Sequence, residues 1–109
     1  MIYGGRDSMV RHYVEVVAMH HRDNQVTPIQ IAWDDGRLFD VRVIGHITRE
    51  RCQTHGYALR YNIMIGKNKR ILWRDEQGWF VEVPEYAESH WHLTGRPMPL
   101  DPRFSDIPC

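Results

Sequence analysis

A net charge of either sign is missing from this chain. Fourteen Lys and Arg stand against fourteen Asp and Glu, for a formal charge of +0 at pH 7. A uniformly basic nucleic-acid coat and an acidic disordered segment are both excluded as descriptions of the whole. Cysteine is nearly absent too, with only Cys52 and Cys109. Two thiols, one mid-chain and one at the last position, in a chain with no evident export signal, read as free groups rather than a stapled framework. Long apolar runs are lacking. The longest is a few residues, against roughly 20 for a membrane-crossing helix, and Met1 to Val10 holds no signal-peptide core. The expectation is a cytoplasmic protein with no membrane partner.

The common catalytic signatures are missing as well. No Cys-x-x-Cys, His-Glu-x-x-His or Gly-x-Ser-x-Gly occurs, so Cys52, Ser89 and Ser105 have no recognisable nucleophile setting. Gly66-Lys67-Asn68-Lys69 has neither the length of a phosphate-binding loop nor the hydroxyl that holds magnesium. The carboxylate pairs Asp34-Asp35 and Asp75-Glu76 fall at predicted turns, where such groups bond to nearby backbone. Seven histidines are present. His20-His21 and the His90-x-His92 pair are the weak candidates for a metal, which needs three or four convergent ligands at about 2 Å. No enzyme activity and no cofactor are expected.

What the chain does have is apolar alternation. With 42% hydrophobic residues, four Trp and five Tyr in 109 residues, it reads as one globular domain. Such a chain buries about two-thirds of its unfolded surface. Val10–Met19 is dense in β-branched residues. In the next run Ile29, Ile31 and Trp33 share a face, and Asp35-Gly36 then predicts a tight type I′ turn. Phe39, Val41 and Val43 alternate with Asp40 and Arg42. Leu59, Tyr61, Ile63 and Ile65 point one way, Arg60, Asn62 and Met64 the other. A turn at Gly66 leads to Arg70–Trp73, and Asp75–Gly78 leads to Trp79–Val83. The polar stretch from Thr48 to Gly56 reads as a connection.

The predicted fold is mainly all-β, a small antiparallel meander of five to six strands forming a strongly bent sheet or half-open barrel. Residues 1–83 make the β domain. Residues 84–109 make a short helix and an extended Pro-rich tail, packed on the sheet or trailing from it. Trp33, Trp73 and Trp79 are expected in the core or at its rim.

The neutral total hides a polarity. Between residues 46 and 74 seven basic residues face one acid, a net of +6, and between 75 and 109 seven acids face two arginines, a net of −5. Arg60, Lys67, Lys69, Arg70 and Arg74 form the candidate nucleic-acid or anion site. Basic groups beside aromatic rings neutralise phosphates and stack unpaired bases. The competing reading lays the acidic tail over the hairpin and neutralises it.

Pro28, Ile31, Trp33, Gly36, Phe39 and Val41, then Arg60-Tyr61, Ile63 and Gly66, then Leu72, Asp75, Trp79, Val81 and Val83 carry a resemblance. Over residues 28–83 this series resembles a family of small uncharacterised bacterial proteins, some encoded beside lesion-bypass DNA polymerases. The resemblance implies a β-rich domain with an accessory role near nucleic acid. The leading expectation is a non-enzymatic binding or accessory module that engages nucleic acid, or a DNA- or RNA-handling protein, through the basic hairpin. One alternative is a protein-interaction or self-assembling module, a homo-oligomer built through an edge strand or the tail. The other is a metal-dependent activity of the clustered histidines.

Overall fold

The alternating runs become strands because period-two side chains give each run one apolar face to bury. The computed structural model of the chain describes residues 9–85. It holds β1 (Met9–His20), β2 (Val26–Ala32), β3 (Leu38–Asp40), β4 (Arg42–Val43), β5 (Thr48–Arg51), β6 (Tyr57–Ile65), β7 (Asn68–Asp75) and β8 (Gly78–Pro84). They lie in the order β3-β2-β1-β8-β7-β6-β4, with β5 also on β6, and every pairing is antiparallel.

Two strands change partners along their length, and this bends the sheet into a nearly closed barrel. Met9–Val14 of β1 pair with β8, whereas Glu15–His20 pair with β2. The segment from Leu38 to Val43 does the same. Its first half, β3, pairs with β2 and its second half, β4, with β6. Between them the Val41 N–H donates to the Ile29 carbonyl at 3.0 Å. Strands that switch sheets make the corners of such a two-sheet arrangement.

The strand count exceeds the expected five to six for two reasons. The run containing Phe39, Val41 and Val43 breaks in two at Val41, and Thr48–Arg51, read as part of a connection, pairs with β6 through Thr48↔Arg60 and Arg51↔Tyr57. A third departure lies in β2. Val17 pairs with Gln30 but Ala18 with Pro28, so Ile29 is the extra residue of a bulge. Ile29 is therefore 40% exposed and does not share the buried face of Ile31 and Trp33. The bulge also accommodates Pro28, which has no N–H to give the ladder.

The turns sharpen the picture. The Asp35-Gly36 hairpin is not type I′. The Gly36 N–H donates to the Trp33 carbonyl and the Trp33 N–H to the Arg37 carbonyl, both at 2.9 Å, with φ +88° at Gly36 alone. This is a three-residue loop whose glycine takes the left-handed position. At the other hairpin Ile65 pairs with Asn68, leaving Gly66 and Lys67 as the turn. Gly66 has φ +59° in the first central position, the II′ pattern.

Inside the barrel, Val14, Ile31, Trp33, Tyr61, Ile63, Leu72, Val81 and Val83 form the main core. A second cluster, Cys52, Ala58, Ile71, Trp73 and Phe80, covers the opposite face of β6–β8 beneath the segment that follows β5. Strands β7 and β8 are thus buried on both faces. No helix among the described residues is long and apolar enough to cross a membrane. The expected C-terminal helix and tail fall, from residue 86 on, outside the described residues.

Candidate nucleic-acid interface

Neighbouring residues of a strand point to opposite faces, so five basic residues from one hairpin cannot all share a surface. Arg60 pairs with Trp73 and Lys69 with Met64, which places both on the outward face. Arg60 there donates from Nε to Asn62 Oδ1 at 3.2 Å. Lys67 is exposed at the hairpin turn. Arg70 pairs with Ile63 and is only 4% exposed, with Nη1 donating to the Lys69 carbonyl at 2.6 Å. It lies beneath the surface. Arg74 shares the inward face with Leu72 but sits about 13 Å along the strand from Arg70. Arg60, Lys67, Lys69, Arg70 and Arg74 therefore do not converge.

The register instead assembles a different basic group around Arg74. Arg49 pairs with Leu59, Leu59 with Arg74, and Arg74 with Trp79, a single row across β5, β6, β7 and β8. Leu59 and Trp79 pack against the main core, so the row lies along its rim. Each arginine is held over an aromatic ring. The Arg74 guanidinium lies 5.4 Å from the Trp79 centroid, and that of Arg49 lies 5.2 Å from Tyr57. Trp79 is backed by Tyr61, with ring centroids 5.0 Å apart. Tyr57 is 55% exposed, and Arg51, its partner across the ladder, is exposed beside it. A cleft of about 490 Å³ opens along this rim between Arg49, Tyr57, Leu59, Arg74 and the turn residue Glu76.

A guanidinium stacked on a ring keeps its in-plane N–H groups free to meet phosphate oxygens. Alternating such cations with an exposed ring is the chemistry that binds single-stranded nucleic acid. Arg49 belongs to the +6 segment, but neither it nor Tyr57 is among the expected site residues. The sequence signal is slight. Tyr57 and Leu59 share a face by alternation, but only strand register brings Arg49 and Arg74 to either side of them.

On the opposite face Asp75 organises a structural network. Its Oδ2 accepts from Arg11 Nη1 at 2.6 Å and from the Tyr13 hydroxyl at 2.7 Å. Its Oδ1 accepts from the N–H groups of Gln77 at 2.8 Å and Gly78 at 3.1 Å. Burial pushes this carboxyl up, but the Tyr13 hydroxyl, the two turn N–H groups and Arg11 outweigh it and hold the pKa below the ordinary value. Burial, with the bond to Asp75, pushes the Tyr13 phenol up. Arg11 also donates from Nε to Thr54 Oγ1 at 2.9 Å and from Nη2 to the His55 carbonyl, and lies 4.3 Å from the Phe80 centroid. The Thr54 N–H donates to Glu82 Oε2 at 2.8 Å. These contacts fasten the segment after β5 over Cys52, a free and buried thiol whose pKa burial and the Glu82 charge push up.

The metal candidates do not gather among the described residues, where no group of three His, Cys, Asp or Glu side chains is placed to hold an ion. His20 and His21 are exposed, and His21 Nε2 lies 2.9 Å from Thr27 Oγ1. His90 and His92 lie outside the described residues. Comparison of the chain with family models, with curated proteins and with solved structures finds no match in any of the three.

Proposed function

We propose that the protein is a non-enzymatic module that binds single-stranded nucleic acid along the rim of its barrel. The observation that carries this reading is the cross-strand row Arg49–Leu59–Arg74–Trp79 with exposed Tyr57 beside it. Arg49, Arg51 and Arg74 meet phosphates, and Tyr57 meets the face of a base. No catalytic step is needed for this role. The resemblance over residues 28–83 to small bacterial proteins, some of them encoded beside lesion-bypass DNA polymerases, accords with it.

Fluorescence anisotropy with a labelled oligothymidylate tests the reading. Three phosphate contacts on a single strand give a slope of log K against log salt of about −2. Replacing Arg49 and Arg74 together by alanine reduces that slope to about −0.7, and Tyr57→Ala weakens binding by about 1–3 kcal/mol. Absence of binding even at low salt removes the proposal.

A second reading, association through a strand edge, has one observation behind it. Among the described residues β5 pairs only with β6, and all four of its residues are exposed. Its brevity and its two arginines oppose edge-to-edge pairing. The expected behaviour is a monomer, and a dimer by size exclusion that dissociates on Glu50→Pro would favour the second reading.

A further inference from the structure

We propose that the rim cleft is a base pocket selecting guanine within a single-stranded chain, with Tyr57 as its stacking surface and Glu76 as its hydrogen-bond acceptor. The inference rests on the nucleic-acid reading above and names the nucleotide that the same site takes.

A carboxylate inside a phosphate-binding cleft needs an explanation, because it repels the ligand's own backbone. The cleft has two acids at one end, Asp75 and Glu76. Asp75 is committed, since each of its oxygens already accepts two hydrogen bonds. Glu76 is exposed at the turn and has no hydrogen bond or ion pair with any described residue. It is the acceptor left over for a ligand.

Register sets where Glu76 stands. Leu59↔Arg74 is the last pair of the β6–β7 ladder, and Tyr57 and the turn residue Glu76, each two positions beyond it, line the same cleft. Arg49 and Arg74 stand two strand spacings apart, about 10 Å, on either side of Leu59. At about 490 Å³ the cleft falls in the size range of small-ligand sites. A nucleotide stacked on Tyr57 with its phosphates toward the arginines turns the edge of its base toward Glu76.

The bases differ in what that edge presents. Guanine carries two adjacent donors, N1–H and the N2 amino group, which match the two oxygens of a carboxylate. Adenine and cytosine each present one amino donor next to a ring-nitrogen lone pair. Thymine and uracil flank their one N–H with two carbonyls. Every base except guanine thus sets at least one lone pair against the carboxylate. In single strands this edge is free to be read.

The test is competition anisotropy at low salt with the DNA pentamers TTGTT, TTATT, TTCTT and TTTTT, and with TTITT, in which inosine lacks the N2 amino group. A bidentate pair gives TTGTT an advantage of about tenfold. TTITT is expected to fall most of the way back to TTTTT. Glu76→Gln sits on an exposed turn and removes a charge that repels the strand's phosphates, so it should raise the affinity for TTTTT while levelling the preference among the pentamers. Equal affinities for all pentamers overturn guanine selection and leave strand binding standing, whereas no binding of any pentamer overturns both. Free GMP competing as well as TTGTT overturns the assignment to a strand.

Discussion

At the scale of single residues, Asp75 and Cys52 show how one face of the sheet is held. Asp75 accepts from Arg11, Tyr13, Gln77 and Gly78, so its charged form is favoured in the folded state and its pKa lies below the ordinary value despite burial. A carboxyl depressed on folding stabilises above its unfolded pKa, about 3.9, and that stabilisation is lost as pH falls through the folded value. Asp75→Asn is expected to cost about 1–2 kcal/mol at neutral pH. The gap between variant and parent in urea midpoints should hold from neutrality down to about pH 5 and then narrow. A gap that does not change with acidification would deny the charge any part in it. Cys52 is 5% exposed and its thiol pKa is pushed up by burial and then by Glu82. In a Cys109→Ser background native protein should react with a disulfide reagent at mildly alkaline pH only as fast as it opens. Rapid reaction before unfolding would mean that the Arg11 fastening is loose.

At the scale of elements, what could be read in the sequence depended on whether an apolar side chain marked it. Tyr57–Ile65 alternates throughout, and Tyr61 and Ile63 are buried where the alternation puts them. Trp33 is buried in the main core, whereas Trp73 lies in a run without alternation, Arg70–Trp73, whose strand is buried on both faces. β5 has no apolar residue in Thr-Arg-Glu-Arg. Its only signature is backbone pairing with β6, which composition does not reveal. The bulge at Ile29 likewise leaves no mark in an alternating run, and it turns out a residue that strict period two would bury. The candidate row is the least legible part. Arg49, Leu59, Arg74 and Trp79 come from four strands, and only the pairing register brings them into line. The hairpin turn at Gly66, by contrast, is local and testable alone. Gly66 has φ +59° and open space where a Cβ would stand, so Gly66→Ala costs only the left-handed backbone, about 1–2 kcal/mol. Urea denaturation measures it, and a neutral substitution would argue against the II′ turn.

At the scale of the whole molecule, the two sheets share strands instead of merely packing together. β1 gives its first half to β8 and its second to β2, and the segment from Leu38 to Val43 joins β2 to β6. Unfolding either sheet removes half of β1 from its ladder and opens the core that Ile31, Tyr61, Leu72 and Val83 fill together. Among the described residues there is no seam along which one sheet could melt while the other persists. The barrel should therefore unfold as one unit, as small single domains commonly do. Trp33 closes the β2–β3 end and Trp73 lies in the second cluster on the far face of β7, so the two report on separate regions. In variants retaining only Trp33 or only Trp73, the fluorescence transition in urea is expected to coincide with the far-ultraviolet circular dichroism transition of the same variant. An early transition at Trp73 alone would show that the outer cluster and its Arg11 fastening open independently. The rim row would then stand on a sheet buried on one face only, and the spacing of Arg49 and Arg74 would depend on whether that cluster is closed.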